Sequence, residues 1–297
     1  MGRISGIVSN MQSKQIEQYV IAFAFAVVLL VTLVKAPATS AKDEKLKPEE
    51  LIAKHLDSIG PADKRKAVQS RAASGTTQAA FRVGGSGTYN GNGNILSQAN
   101  GLRLGLSFSA IDYPGEQIAY DGNKVTVKQS NPGVYPPFSR FIYENDYLIK
   151  EGLLFGTLST QWALLDVPKQ AKMEVTGLKK INGKQLYELK YTFRNSKGMQ
   201  AWFYFDPETF RHVRSEFKLE LAPTNVDKIT DSAETVRYHI LEQFDEFKPV
   251  DGLTLPYSYK LDFTIDAPKG GLFTSWSYTI RTINHNESLE KNLFSVQ

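Results

Sequence analysis

The 297-residue chain has no cysteine, four histidines and no block of like charge. Each absence closes a class of chemistry. Without cysteine there is no disulfide, no thiolate nucleophile, no Cys-x-x-Cys redox pair or cysteine zinc site, and no lipid-modified N-terminal cysteine. His55, His212, His239 and His285 are far apart in sequence, and none has the His-x-x-x-His or His-Glu-x-x-His spacing of a metal site. The 35 Lys and Arg against 31 Asp and Glu give a net charge of +4 that is spread along the chain, so nucleic acid is not an expected partner.

No Gly-x-Ser-x-Gly elbow for a serine hydrolase occurs. Gly84-Gly85-Ser86-Gly87 and Gly91-Asn92-Gly93 lack the lysine and the strand-to-helix setting of a phosphate loop, and read as turns or bulges. The acid pairs Asp245/Glu246 and Asp262/Asp266 fall on solvated strand faces or loops, which favours surface charge over a glycosidase pair. His55, set among apolar helix positions, reads as structural. Neither a catalytic constellation nor a cofactor is expected, and the chain is not read as an enzyme.

What is present is an ordinary globular mixture, 41% hydrophobic and 22% charged, preceded by a distinctive N-terminus. A polar stretch with Arg3 and Lys14 leads into an apolar run from Tyr19 to Val34, and small residues follow from Ala36 to Ala41. This is the pattern of a signal peptide cut after Ala41, with export to the periplasm. An uncleaved anchor tethering the chain to the inner membrane is the alternative. Removing residues 1–41 takes away Arg3, Lys14, Lys35 and Glu17 and leaves 32 basic against 30 acidic residues, read as one domain over 42–297.

Residues 48–59 predict a helix, with Leu51, Ile52, His55, Leu56 and Ile59 on one face and Gly60-Pro61 as its stop. A shorter helix is expected over about 62–69. From Ala72 onward period-two alternation dominates. Tyr187, Leu189, Tyr191 and Phe193 oppose Glu188, Lys190 and Thr192, and the pattern repeats through Phe203 and Phe205, through Phe217 and Leu219, and through Tyr259, Leu261 and Phe263. Trp276, Tyr278 and Ile280 close the series.

Such alternation means antiparallel sheet with one buried face. Asp121-Gly122, Asn182-Gly183, Asp251-Gly252 and Asp206-Pro207 supply the turns. About ten or eleven strands result, enough that the sheet must curl strongly or close. Alternating exterior charges exclude an outer-membrane barrel. Between the strand blocks, residues 138–165 are unusually apolar and read as a helix or helix pair covering the concave side of the sheet. The alternation leaves open whether the inward face is a filled core or a cavity.

Several segments carry a resemblance. Phe244-Asp245-Glu246-Phe247-Lys248-Pro249-Val250-Asp251-Gly252-Leu253-Thr254-Leu255-Pro256 resembles a hairpin of the LolA-like, outer membrane lipoprotein-sorting family. Tyr120-Asp121-Gly122-Asn123-Lys124-Val125, Asn182 to Leu189 and Phe205 to Thr209 are similar to three further hairpins of that family, in the same order. The resemblance covers about residues 49–297. It implies a mainly β fold, a strongly curved, incomplete antiparallel barrel with helices over its concave side, enclosing a hydrophobic cavity for acyl chains.

It also implies a non-enzymatic periplasmic carrier of lipid or lipoprotein acyl chains, with membrane lipoprotein-handling proteins as possible partners. A sensor domain that binds a membrane signalling protein is the alternative. On this reading Tyr187, Leu189, Tyr191, Phe193, Phe203, Phe205, Phe217, Tyr259, Phe263, Trp276 and Tyr278 line the cavity, and Phe141, Ile142, Leu148, Leu153 and Phe155 belong to a lid. The family's lid-latching arginine has no counterpart in register, Arg103 being near but displaced.

Overall fold

The computed structural model describes residues 46–82, 86–166, 172–193, 198–221, 235–268 and 270–296. The expected signal segment and its cut after Ala41 lie outside them, as do Gly84 and Gly85. No helix among the described residues is long and apolar enough to cross a membrane.

Helix α1 (Pro48–Ile59) begins where proline is tolerated, with Glu49 and Glu50 in its first turn and the Glu50 carboxylate accepting from the Lys47 N–H at 3.1 Å. It buries Leu51, Ile52, His55 and Ile59 against the sheet. Gly60 ends it, and a Cβ there would lie 2.8 Å from the Gly252 carbonyl oxygen. A single turn and a half, α2 (Ala62–Ala67), follows.

Twelve strands then form one antiparallel sheet: β1 (Ser70–Phe81), β2 (Gly87–Gln98), β3 (Gly101–Phe108), β4 (Gly115–Tyr120), β5 (Val125–Val127), β6 (Lys172–Ile181), β7 (Lys184–Thr192), β8 (Gln200–Phe205), β9 (His212–Leu221), β10 (Val236–Val250), β11 (Leu253–Asp266) and β12 (Leu272–His285). Their order in space is β5-β4-β3-β2-β1-β12-β11-β10-β9-β8-β7-β6. Two meanders are thus joined where β1 pairs with β12, and the edges β5 and β6 do not pair, which leaves the curved sheet an incomplete barrel. The twelfth strand beyond the expected ten or eleven reflects short segments such as β5, whose three residues are too few to show a period.

The glycines at 91 and 93 are not turns or bulges but interior residues of β2. The reason is close approach: a Cβ on Gly91 would stand 2.1 Å from the Ser107 carbonyl oxygen, and one on Gly93 would stand 2.9 Å from the Tyr278 ring. The Asn182-Gly183 and Asp251-Gly252 pairs do turn their hairpins, all four residues having positive φ.

This topology explains the insert. The chain leaves the sheet at one edge, β5, and must re-enter at the other, β6, so the connecting residues have to cross a face. Being apolar, they cross the inner one. The crossing carries helix α3 (Pro137–Glu144), helix α4 (Tyr147–Lys150) and a 3-10 turn (Gly156–Leu158). It is less helical than the apolar run over 138–165 suggests, because part of its backbone is held by the sheet. The Phe155 N–H donates to Glu242 at 2.7 Å and the Thr160 N–H to Ser97 Oγ at 2.9 Å, while Gly152, Phe155 and Gly156 all take positive φ.

Candidate functional site

The inward face of the sheet and this cover meet ring to ring. Phe138 lies 5.4 Å from Phe263 and 5.3 Å from Trp276, and Phe141 lies 4.8 Å from Tyr238 and 5.4 Å from Phe263. Farther along, Phe155 reaches Tyr259 at 6.1 Å, and Trp162 stands edge-on to Phe203 at 5.0 Å and stacks on His212 at 4.8 Å. Tyr147 meets Phe193, which in turn meets Tyr191. The lid candidates Phe141, Ile142, Leu148, Leu153 and Phe155 are all buried.

Ten of the sheet candidates are also buried: Leu189, Tyr191, Phe193, Phe203, Phe205, Phe217, Tyr259, Phe263, Trp276 and Tyr278. Tyr187 is half-buried, stacked on Phe210 at 5.9 Å. Tyr278 uses its hydroxyl to bridge the carbonyl oxygens of Ala73 and Gly93, each at 3.0 Å. Each buried aromatic ring contributes roughly 1.5–3 kcal/mol by leaving water. These side chains form a packed core beneath the cover.

Polar anchors fix the cover to the sheet at both ends. At the front, Glu116 on β4 accepts from the Tyr113 hydroxyl at 3.0 Å and from the Ser139 hydroxyl of α3, while Trp276 Nε1 donates to the Tyr113 oxygen at 2.8 Å. At the back, Glu242 on β10 accepts from the Phe155 N–H and from the Tyr259 hydroxyl at 2.8 Å. Burial lifts both carboxyl groups to about 7, against the pull of these donors. Arg71 on β1, buried and lowered to about 10 by desolvation, donates to the Thr157 carbonyl oxygen and, through Nε, to His285 at 3.0 Å.

His55 links α1 to the same assembly. Its Nδ1 donates to the Phe210 carbonyl oxygen at 3.2 Å and its Nε2 accepts from Trp162 Nε1 at 3.1 Å, the neutral tautomer that burial favours by lowering it to about 4. This is the structural position expected of it. Arg103 does not reach the cover: it binds the Leu293 carbonyl oxygen at 3.0 Å and Gln117 at 2.9 Å. Arg71, an arginine that strand alternation alone does not single out, does reach it.

Open volume lies at the front edge. A pocket of about 670 Å³ is bounded by Phe81 and Tyr89 of the first hairpin, by Asp112, Tyr113 and Pro114, by Val134 to Phe138 of the cover, and by Thr274 and Trp276. Glu116 lies among the lining residues. Of the expected cavity residues only Trp276 borders this pocket. The others missed it because its walls come from loops and proline-flanked aromatics, and the dipeptides Tyr113-Pro114 and Tyr135-Pro136 are the sequence signal that marks them. Around the mouth stand exposed apolar groups: Ile111 beside Asp112, Val134 at 52% exposure, and Tyr143 at 48%, stacked on Tyr135. No group of acids and histidines suited to a metal occurs among the described residues.

No family model matches the chain, and no curated protein matches it. Among solved structures, it is similar to a LolA superfamily protein from Nitrosomonas europaea, at 15% identity over 84% of this chain and 98% of that one, with a TM-score of 0.45. A DUF1329 family protein from Desulfovibrio piger is similar at 11% identity over 83% and 96%, with a TM-score of 0.39. A domain assigned to outer membrane lipoprotein sorting, from Vibrio parahaemolyticus, is similar at 15% identity over 82% and 97%, with a TM-score of 0.37.

Proposed function

We propose that the chain is a non-enzymatic carrier that takes up the acyl chains of lipid or lipoprotein between its sheet and its cover. One observation carries this reading: an open, aromatic-walled pocket at the front edge of the cover, with exposed apolar groups around its mouth. An acyl chain entering there meets Phe138 and Trp276 first, and continued uptake displaces the cover from the inner face. The sheet offers what such a chain needs, apolar area worth roughly 25 cal/mol per Å² removed from water. Release requires the cover to close again, and rates of exchange are then set by its anchors at Glu116, Glu242 and Arg71.

On this reading residues 1–41 direct export and the carrier works in the periplasm. The test is expression with the native N-terminus in a Gram-negative host, followed by native and denaturing mass spectrometry. Acyl species on a protein cut after Ala41 is the expected result. An empty protein that keeps residues 1–41 would instead support the tethered sensor that binds a membrane signalling protein.

A further inference from the structure

The lining of the front pocket has a charge signature that the acyl-binding reading does not require. Its described lining residues include two carboxylates, Asp112 and Glu116, and no lysine, arginine or histidine. Asp112 sits at the exposed rim, where its Oδ2 accepts from the Tyr89 hydroxyl at 2.7 Å. Glu116 is buried below, and the two side-chain groups bonded to it, Tyr113 and Ser139, both donate, the arrangement that suits a charged carboxylate.

Between the two acids the walls are π faces. Phe81, Tyr89 and Tyr113 form one cluster, with Phe81 and Tyr113 at 4.7 Å and Phe81 and Tyr89 at 5.8 Å. Tyr135, Phe138 and Trp276 form the other sides. Aromatic faces attract cations and repel anions, and the two carboxylates in the lining add to that preference. A phosphate or carboxylate head would find no basic partner among these residues.

We infer that the pocket selects single-chain amphiphiles whose head carries a cationic amine, and disfavours those whose head is purely anionic. The inference rests on the acyl-binding reading and adds to it the chemistry of the head group. The burial that holds Glu116 near 7 fits this role, because an ammonium group beside it would complete its ionisation.

The test is isothermal titration of the full chain, below micelle-forming concentrations and above the pH range where Glu116 titrates. Four ligands share the chain type: dodecylamine, lysophosphatidylethanolamine, dodecanol and dodecanoate. Dodecylamine is expected to bind at least about tenfold more tightly than dodecanoate. That ratio should fall by about threefold or more in D112N, whose site is exposed, and in E116Q.

Strong binding of lysophosphatidylethanolamine as well would assign the amine to a zwitterionic lipid head, and binding of dodecylamine without it would assign a free amine; both support the inference. Equal affinity for amine and carboxylate, or a ratio unchanged in both variants, overturns it. If dodecanol binds and head charge makes no difference, the carrier reading stands without this selectivity. If none of the four binds, both fall.

Discussion

The two ends of the inner face are built from the same residue types and reach opposite states. At the back, beneath residues 155–165, Phe203, Phe205 and Tyr259 pack against Trp162, Phe155 and the histidines His55 and His212. At the front, Phe81, Tyr89 and Tyr113 face a pocket of about 670 Å³. Aromatic content is alike, so composition does not decide between core and cavity. The cover decides, by inserting an indole at one end and holding a Tyr-Pro-Pro segment at the rim of the other.

The largest effect should come from emptying the filled end. Phe203→Ala removes a ring with no exposed surface and is expected to cost about 3–5 kcal/mol in urea unfolding. Tyr89→Ala at the half-exposed pocket wall should cost less than about 1.5 kcal/mol while weakening acyl uptake. Similar losses of stability at both positions would erase the contrast between the two ends.

The anchors respond to pH in a direction that can be worked out. Glu242, lifted from 4.5 to about 7 by burial, stabilises the fold fully below 4.5, and that contribution is lost as pH rises through about 7. His55, lowered from 6.5 to about 4, does the reverse: its contribution is present above 6.5 and is lost as pH falls through about 4. In the wild type the two largely offset between these limits. Glu242→Gln keeps an oxygen for the Phe155 N–H and removes the titration. The stability of wild type relative to E242Q should therefore fall by up to about 3 kcal/mol as pH rises from 4.5 to 7 in urea melts. A gap constant with pH would mean that this carboxyl does not titrate in the window.

Arg71→Ala leaves the Thr157 carbonyl oxygen without its buried donor, at an expected cost of about 1–3 kcal/mol. Hydrogen exchange should quicken over residues 156–161 and stay unchanged over α3, which is held by Glu116 instead. Uniform quickening across the cover would show that it opens as one piece. The smallest effect belongs to Ile111→Ser at the mouth, less than about 0.5 kcal/mol in stability, with slower acyl uptake as its readout.

Much of the fold was legible in local pattern. The α1 stripe of Leu51, Ile52, His55 and Ile59, the strand alternation around Leu189, Phe203 and Phe263, and the Asn182-Gly183 and Asp251-Gly252 turns all depend on period and backbone freedom, which are properties of short segments. The glycines at 91 and 93 read as turns or bulges in sequence yet lie inside a strand, because their cause is a neighbouring strand and not their own conformation. The apolar run of the insert predicts a cover, but the insert is less helical than the run implies. Its backbone N–H groups at Phe155 and Thr160 bond to sheet residues more than sixty positions away, contacts that no helical periodicity records.

The candidate site divides in the same way. That Phe203, Tyr259 and Trp276 point inward follows from alternation, because successive side chains on a strand must face opposite sides. Whether the inward space is occupied depends on which distant side chain fills it, and that is settled by the path of the cover over residues 128–166. Element types, the buried face and the absence of cysteine chemistry follow from the residues and their local pattern. The pairing of β1 with β12, the anchoring of the cover by Arg71, Glu116 and Glu242, and the position of the open pocket arise from contacts between distant segments. The physical reason is range: secondary structure follows from neighbours within a few residues, whereas packing and burial follow from partners the chain brings together only once it has folded.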